Sequence, residues 1–452
     1  MLLLLACSPP AELLTPDGPS FGHFLASVRY PGEVKAVTVG GVATYDLQQS
    51  GDLVEFIVQG GSSGMAEVVV LNADDEEVLA GELEYLPAVD PLFDAIAGIG
   101  ASLTMGVQDG VPTFEAQLMS PGAQIARQAG GDFGIPLLVR GLFPTIEPEH
   151  LGPPPDCEAP GVVQHVTDSV IQVLGMLNDE DGDFHYSLGR VDPDRVPLNA
   201  AVGGYRVQAL TEGTEGFELG FIGHLVLDPY GALDGRIPFS QVDHVLEQDP
   251  TLVLSFDTFG NDLIGAVVLA DEIELDNITS EEDFQLGVAR LMELLAGSDA
   301  EIFLANTPRP GLLPAGRLLV ETAEDPEEAQ ALLDEADALA VDYNAILAAE
   351  AARYDNIHVV DAWTFAEQLV VEGLEVGGQY LDVSRFGGLL SLDGVHFTDT
   401  GYATFANLFI EAIEAELGVV LDPIDIEAVI AVDDRSPQAL ADAGVDLDAC
   451  WR

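Results

Sequence analysis

The sequence predicts an α/β protein, a parallel sheet packed by helices, with a small all-β domain in front of it. Three observations predict this. From about residue 21 to 88, apolar and polar residues alternate in short runs cut by Gly, Asp and Ser, the period of half-buried strands. From about residue 89 to 425, apolar runs of strand length are separated by stretches long enough for helices, as repeated β–α units require. Hydrophobic residues make up 48% of the 452 positions, enough to build a core for one large domain and one small one.

Residues 1–20 read as a signal remnant and tether. Leu2 to Ala6 is an apolar run too short to cross a bilayer, and it ends in Leu4-Leu5-Ala6-Cys7-Ser8. That sequence resembles a bacterial lipobox, in which a small residue precedes a cysteine that is lipidated and becomes the mature N-terminus; the basic region of a complete signal peptide is missing. The resemblance implies an exported lipoprotein, anchored to a membrane through Cys7. Ser8 to Pro19 is polar and proline-rich, the composition of a tether. With Cys7 acylated, Cys157 and Cys450 remain. An exported protein permits a disulfide between them, and the sequence leaves that pairing open.

Fifteen Lys and Arg face 78 Asp and Glu, a formal charge of −63, and Lys35 is the single lysine. A field of that sign repels phosphate backbones and anionic headgroups, which excludes nucleic acid as a partner. Contact with a membrane is expected only through the lipid anchor, and a monomer is expected. Such a surface suits a protein living in salt, where counterions screen the self-repulsion; surface calcium sites are the alternative. The acidic run Asn178 to Asp183 is not an EF-hand. Taking Gly182 as the sixth position puts Leu177 first and Leu188 last, where carboxylates are needed. His185 has no Cys or His partner at ligand spacing. No metal and no cofactor is expected.

In the all-β part, Ala36 to Val39, Val54 to Val58 and Ala66 to Val70 alternate with period two. The stretch with Val39-Gly40-Gly41, Gly60 to Gly64 and the Glu84-Tyr85-Leu86-Pro87 ending resembles an IPT/TIG-type immunoglobulin-like module over residues 21–88. Such a module implies a spacer or binding unit, and no chemistry is assigned to it. In the second part, Asp94 to Gly100, Thr251 to Phe256, Glu301 to Asn306 and Ile357 to Asp361 read as buried strands. Ser280 with Asp283 opens a helix. Pro326 to Arg353 is a second helix, and Gly401 to Leu417 a third that stops at Gly418. Residues 426–452 are left as a C-terminal tail.

Four segments carry chemistry. In Ile99-Gly100-Ala101-Ser102-Leu103-Thr104, a strand ends in a glycine turn that can expose the Ser102 Oγ at the carboxyl edge of a parallel sheet. In Asn199-Ala200-Ala201-Val202-Gly203-Gly204, Gly204 lets a backbone N–H approach a substrate closely. In Asp257-Thr258-Phe259-Gly260-Asn261-Asp262, Asn261 at a strand end can aim its amide at a developing oxyanion. In Leu392-Asp393-Gly394-Val395-His396, the carboxylate three residues before the imidazole can hold it in the tautomer a general base needs.

Their identity and order resemble the SGNH (GDSL-type) serine hydrolases, whose blocks supply Ser, Gly, Asn and His in that order. The resemblance runs from about residue 94 to 418 and takes in Ala305-Asn306-Thr307-Pro308 and Gly388 to Asp393. It implies a three-layer α/β/α hydrolase domain over residues 89–425. It also implies Ser102 as nucleophile, Asp393 and His396 as acid/base pair, and an oxyanion hole of Ser102, Gly204 and Asn261. The implied activity is hydrolysis of a carboxylic ester: a lipid, an acetylated glycan or a small ester. Two positions depart from the family pattern. Ala101 stands for the Asp of Gly-Asp-Ser-Leu, and Phe259 for the first Gly of Gly-x-Asn-Asp. The rival reading is an inert, surface-anchored binding or adhesion protein on the same scaffold.

Overall fold

The computed structural model describes residues 11–146, 162–178, 185–212, 217–228, 230, 240–268, 273–384 and 386–447. Cys7, Cys157 and Cys450 lie outside them, and so do the lipidation and the disulfide expected there; the acidic loop from Asp179 onward does as well. No helix among the described residues is long and apolar enough to cross a membrane.

The protein is mixed α/β with an all-β N-terminal region. One sheet of that region orders Glu12–Leu13, Gly22–Arg29, Leu53–Gln59 and Tyr45–Ser50; the other orders Asp17–Pro19, Glu77–Leu86, Gly64–Asn72, Val34–Val39 and Val42–Ala43. Alternate residues point inward, so Val28, Val37, Phe56, Val68, Val70 and Leu83 form a shared core between the sheets. The expected tether needs correcting here. Glu12–Leu13 pairs with Val28–Arg29, and Asp17–Pro19 runs parallel to Glu84–Leu86. Ala11 and Leu13 pack on the module core, and Pro19 sits on an edge strand where its missing N–H costs nothing. The module is fixed to the second region by Arg140, which bonds Asp46 at 2.7 Å and lies over the Phe114 ring. Ile57 is fully buried in the second region's core.

The second region is built on four parallel strands in the spatial order β1 (Ile96–Gly98), β2 (Leu252–Ser255), β3 (Glu301–Ala305) and β4 (Ile357–Val360). All four strands expected from the sequence are present. Their side chains alternate between two cores: Ile96, Leu252, Leu254, Phe303 and Val360 in one, Ala97, Val253, Ile302, Leu304 and Ile357 in the other. Both faces are therefore covered, which is why these strands read as continuous apolar runs.

The expected helices follow. Ser280 caps Glu281–Leu295 through a bond from Asp283 N, and Pro326–Ala351 starts at Asp325. Asp399–Leu417 is capped by Thr398, which accepts from Gly401 N at 3.0 Å, and ends at Gly418 with φ +69°. Such a cap contributes about 1 kcal/mol. Here it also fixes the start of a helix three residues beyond His396.

One feature of the connectivity positions the site. On the outer edge of β1, Gly98 forms a parallel bridge to Asn199, a segment that follows β1 in the chain; β2 lies on the other edge. The chain thus leaves β1 toward one side and returns on the other. Such a reversal opens a crevice at the carboxyl ends of the strands. Ser102 follows β1 and Asn261 follows β2, so both stand at that crevice.

The expected tail also needs correcting. Residues 426–447 carry two short helices, Ile426–Ile430 and Pro437–Asp442. The intervening Asp433 accepts from Thr400 N and Oγ1 at 2.9 and 2.5 Å. This segment is part of the fold because its polar groups complete buried hydrogen bonds of the helix that follows His396.

Candidate active site

Ser102 opens the four-residue helix α1 (Ser102–Met105). Gly100, at φ +131°, makes the turn before it. A Cβ there would lie 2.9 Å from Asp257 Oδ1, Ser255 Oγ and Thr104 Oγ1, so the turn excludes any side chain. The first N–H groups of a helix need acceptors. Asp257 supplies them: its Oδ1 accepts from Ala101 N at 3.0 Å, Thr104 N at 3.3 Å and Thr104 Oγ1 at 2.7 Å, and its Oδ2 from Leu103 N at 2.6 Å. The Ser102 N–H and Oγ make no hydrogen bond among the described residues. One carboxylate thus saturates the turn around the serine and leaves the serine itself free. Sequence reasoning gave Asp257 no role. Its only trace there is that Ala101 brings no acceptor to its own turn.

The Gly203–Gly204 turn faces this serine. A Cβ on Gly203 would lie 3.9 Å from Ser102 Cβ, and Gly204 has φ +84°. Neither glycine N–H is bonded among the described residues. Asn199 ties this segment to α1, donating to Thr104 O at 2.9 Å while accepting from Ala201 N at 3.1 Å; sequence reasoning quoted Asn199 without a role. Asn261 opens the helix α2 (Gly260–Val268) from its second position and lines one cleft with Ser102. Its amide spends one hydrogen on Tyr205 O at 3.0 Å, leaving the other for a ligand. Asp262 next to it accepts from Val207 N and Thr279 Oγ1, and burial pushes its carboxyl up to about 6. Phe259 turns into the core, edge-on to Phe284 at 5.3 Å. A bulky residue is tolerated there because its ring never reaches the cleft.

Asp393 and His396 stand in a tight hairpin, where Leu390 bridges Phe397 and Ser391 N bonds His396 O at 2.7 Å. Asp393 Oδ2 lies 2.5 Å from His396 Nδ1. Its Oδ1 accepts from the N–H groups of His396 and Val395, each at 2.8 Å, and from Ser391 Oγ at 3.1 Å. Burial alone would raise this carboxyl, but the imidazole and these donors hold it down at about 2. Burial opposes the imidazolium too, yet the charge and hydrogen bond of Asp393, helped by Asp257 and Asp109, carry the His396 pKa above its ordinary 6.5. His396 Nε2 is buried and has no hydrogen-bond partner among the described residues. Ser102 Oγ makes no hydrogen bond to it.

Four contacts clamp the segment that follows Ser102 to the histidine segment. Leu392 N donates to Asp109 Oδ1 at 2.8 Å, and Asp109 N to Ser391 Oγ at 3.1 Å. Tyr402 Oη donates to Val107 O at 2.5 Å, and Gln108 Nε2 to Asp399 Oδ1 at 2.7 Å. Asp109 is itself held by Arg435, whose Nε and Nη2 reach its Oδ2 at 3.2 and 3.0 Å. Burial pushes the Asp109 carboxyl up to about 6 against the pull of Arg435.

Ser102 and Asn261 line one cleft, Gly203 stands beside Ser102, and the oriented imidazole is tied to the same segment through Asp109; a hydroxyl, an imidazole and hydrogen-bond donors so gathered can carry out acyl transfer. No family model and no curated protein matches the sequence. Among solved structures, one neighbour is a polysaccharide lyase at 10% identity and a TM-score of 0.15; the alignment covers 72% of this chain and 47% of the lyase. A likeness that slight carries no argument about fold or activity.

Proposed function

We propose that the protein is a serine esterase of the SGNH type, exported and lipid-anchored, with an IPT/TIG-like module in front of a three-layer hydrolase domain. The observation that carries this reading is the buried Asp393–His396 pair, with Nε2 unpartnered, clamped to the segment whose Ser102 is the residue left free in its turn. In the proposed reaction, His396 Nε2 takes the Ser102 proton as Oγ attacks the ester carbonyl, and Asp393 stabilises the imidazolium. The carbonyl oxygen becomes an oxyanion facing the Ser102 and Gly204 N–H groups and the second amide hydrogen of Asn261. Collapse of the tetrahedral adduct breaks the ester C–O bond, and the imidazolium hands its proton to the departing alkoxide. Water then attacks the acyl-enzyme with His396 as base again, freeing the acid and Ser102.

The test is labelling by a fluorophosphonate together with hydrolysis of nitrophenyl esters. The wild-type protein is expected to label and turn over, and Ser102→Ala to do neither above background, with its melting curve unchanged. A folded Ser102→Ala protein that keeps near-wild-type activity would overturn the assignment. A wild-type protein that neither labels nor hydrolyses favours the inert binding scaffold.

A further inference from the structure

The cleft that Ser102 and Asn261 share is a largely apolar trough of about 950 Å³, its open mouth included, and Val395 and Phe397 on either side of the histidine belong to its lining. One wall is the helix Ala362–Glu372, which turns Ala362, Phe365, Ala366, Leu369 and Val370 toward it. These positions are spaced i, i+3, i+4, i+7 and i+8, the stripe a helix normally buries against another element. The opposite wall is α2 beyond Asn261, where Ile264 and Gly265 continue the line that the oxyanion residue begins.

Beyond Ser102 and Asn261, the polar groups of the trough stand at the carboxyl ends of β2 and β3, as Asp257, Asn306 and Thr307. Asn306 donates to Asp361 Oδ1 at 3.0 Å and accepts from Trp363 N at 2.7 Å, and Thr307 N donates to Asn344 at 2.9 Å. Farther along, the described lining is Leu312, Leu313, Phe365, Leu369, Val370 and Val383, none of which can bind a hydroxyl or carboxylate through its side chain, so a sugar there would lose its hydration without replacement. An alkyl chain loses nothing.

Resting on the esterase reading, we infer that this trough is the acyl pocket, and that the substrate is an ester of a medium- to long-chain fatty acid rather than an acetyl ester. The carbonyl sits at Ser102 and the chain runs between Ile264 and the Ala366–Val370 stripe. Each methylene buried in such a pocket strengthens binding by about fourfold.

The experiment is a series of nitrophenyl esters from acetate through hexanoate and decanoate to palmitate, assayed on the full protein. The expected kcat/KM climbs by about three- to fourfold per methylene until the trough is full, and then levels. Ala366→Phe and Ile264→Trp, which fill the trough from different helices, should lower the decanoate-to-acetate ratio of kcat/KM at least tenfold. Two variants on different helices guard against one failing to fold. A series in which acetate is the best substrate, or in which neither filled variant moves the ratio, overturns the acyl pocket while leaving the esterase standing. Absence of hydrolysis across the whole series overturns both.

Discussion

The two sides of Ser102 are built from opposite materials. Toward the imidazole, three carboxylates are committed to fixed partners: buried Asp393 to four donors, buried Asp109 to Arg435 and Leu392, and half-buried Asp257 to the turn of α1. Toward the helix Ala362–Glu372, the lining is apolar and the space is open. Directional bonds fix the reacting atoms, where an error of an ångström costs orders of magnitude in rate. Non-directional packing sets the substrate and accepts changes of volume far more readily. The difference teaches which substitutions should destroy the protein's activity and which should merely redirect it.

Breaking the polar side at its centre is expected to cost most. His396→Ala removes the proposed acceptor of the Ser102 proton, and kcat should fall by about 10³- to 10⁶-fold. A matched thermal melt checks that the loss is chemical. Next is the donor at the boundary between the two sides. Asn261→Ala should lower kcat by about 10²- to 10³-fold with KM nearly unchanged, because the oxyanion exists only in the transition state. An effect confined to KM would reassign Asn261 to the apolar side, as a substrate-positioning residue.

The smallest effect sharpens the comparison most. Asp257 touches neither His396 nor the proposed oxyanion, yet it organises the serine turn and helps raise the imidazole pKa. A base must be neutral to act, so activity rises with pH through that raised value. Asp257→Asn removes a negative charge that favours the imidazolium, and the acid limb of kcat/KM should move to lower pH. The loss of the Leu103 N–H bond, which an amide nitrogen cannot accept, should also reduce kcat by up to about tenfold. A pH–rate profile from about pH 5 to 9 separates these effects. A purely structural role would lower the whole curve without displacing its limb.

How much of this was legible in the sequence depended on distance along the chain. The strands β1 to β4, the Ser280 cap and the Gly418 stop are written in local periodicity and in single capping residues. Asp393 and His396 were legible because three residues separate them. Their partners were not. The Asp257 bonds to α1 span 153 to 156 positions, and no periodicity links a strand end to a turn so far away. The strands at Glu12–Leu13 and Asp17–Pro19 are two and three residues long, too short for an alternating pattern to distinguish them from a tether. The final segment was misread for a related reason. Its short helices lack a long apolar stripe, and its value to the fold lies in Asp433 and Arg435, polar residues whose burial shows only in three dimensions.

Arg435 gives the site a place in time. It reaches Asp109 across 326 positions, so a ribosome moving at about 5 to 20 residues per second finishes Asp109 roughly 15 to 65 seconds before its partner exists. During that interval the growing chain already carries Ser102, and for most of it neither Asp393 nor His396. Even when the histidine emerges, the buried Asp109 carboxylate still awaits its counter-charge. Assembly of the reactive centre is therefore a late event, and a chain arrested before residue 426 should resist fluorophosphonate labelling while its N-terminal sheets are already folded.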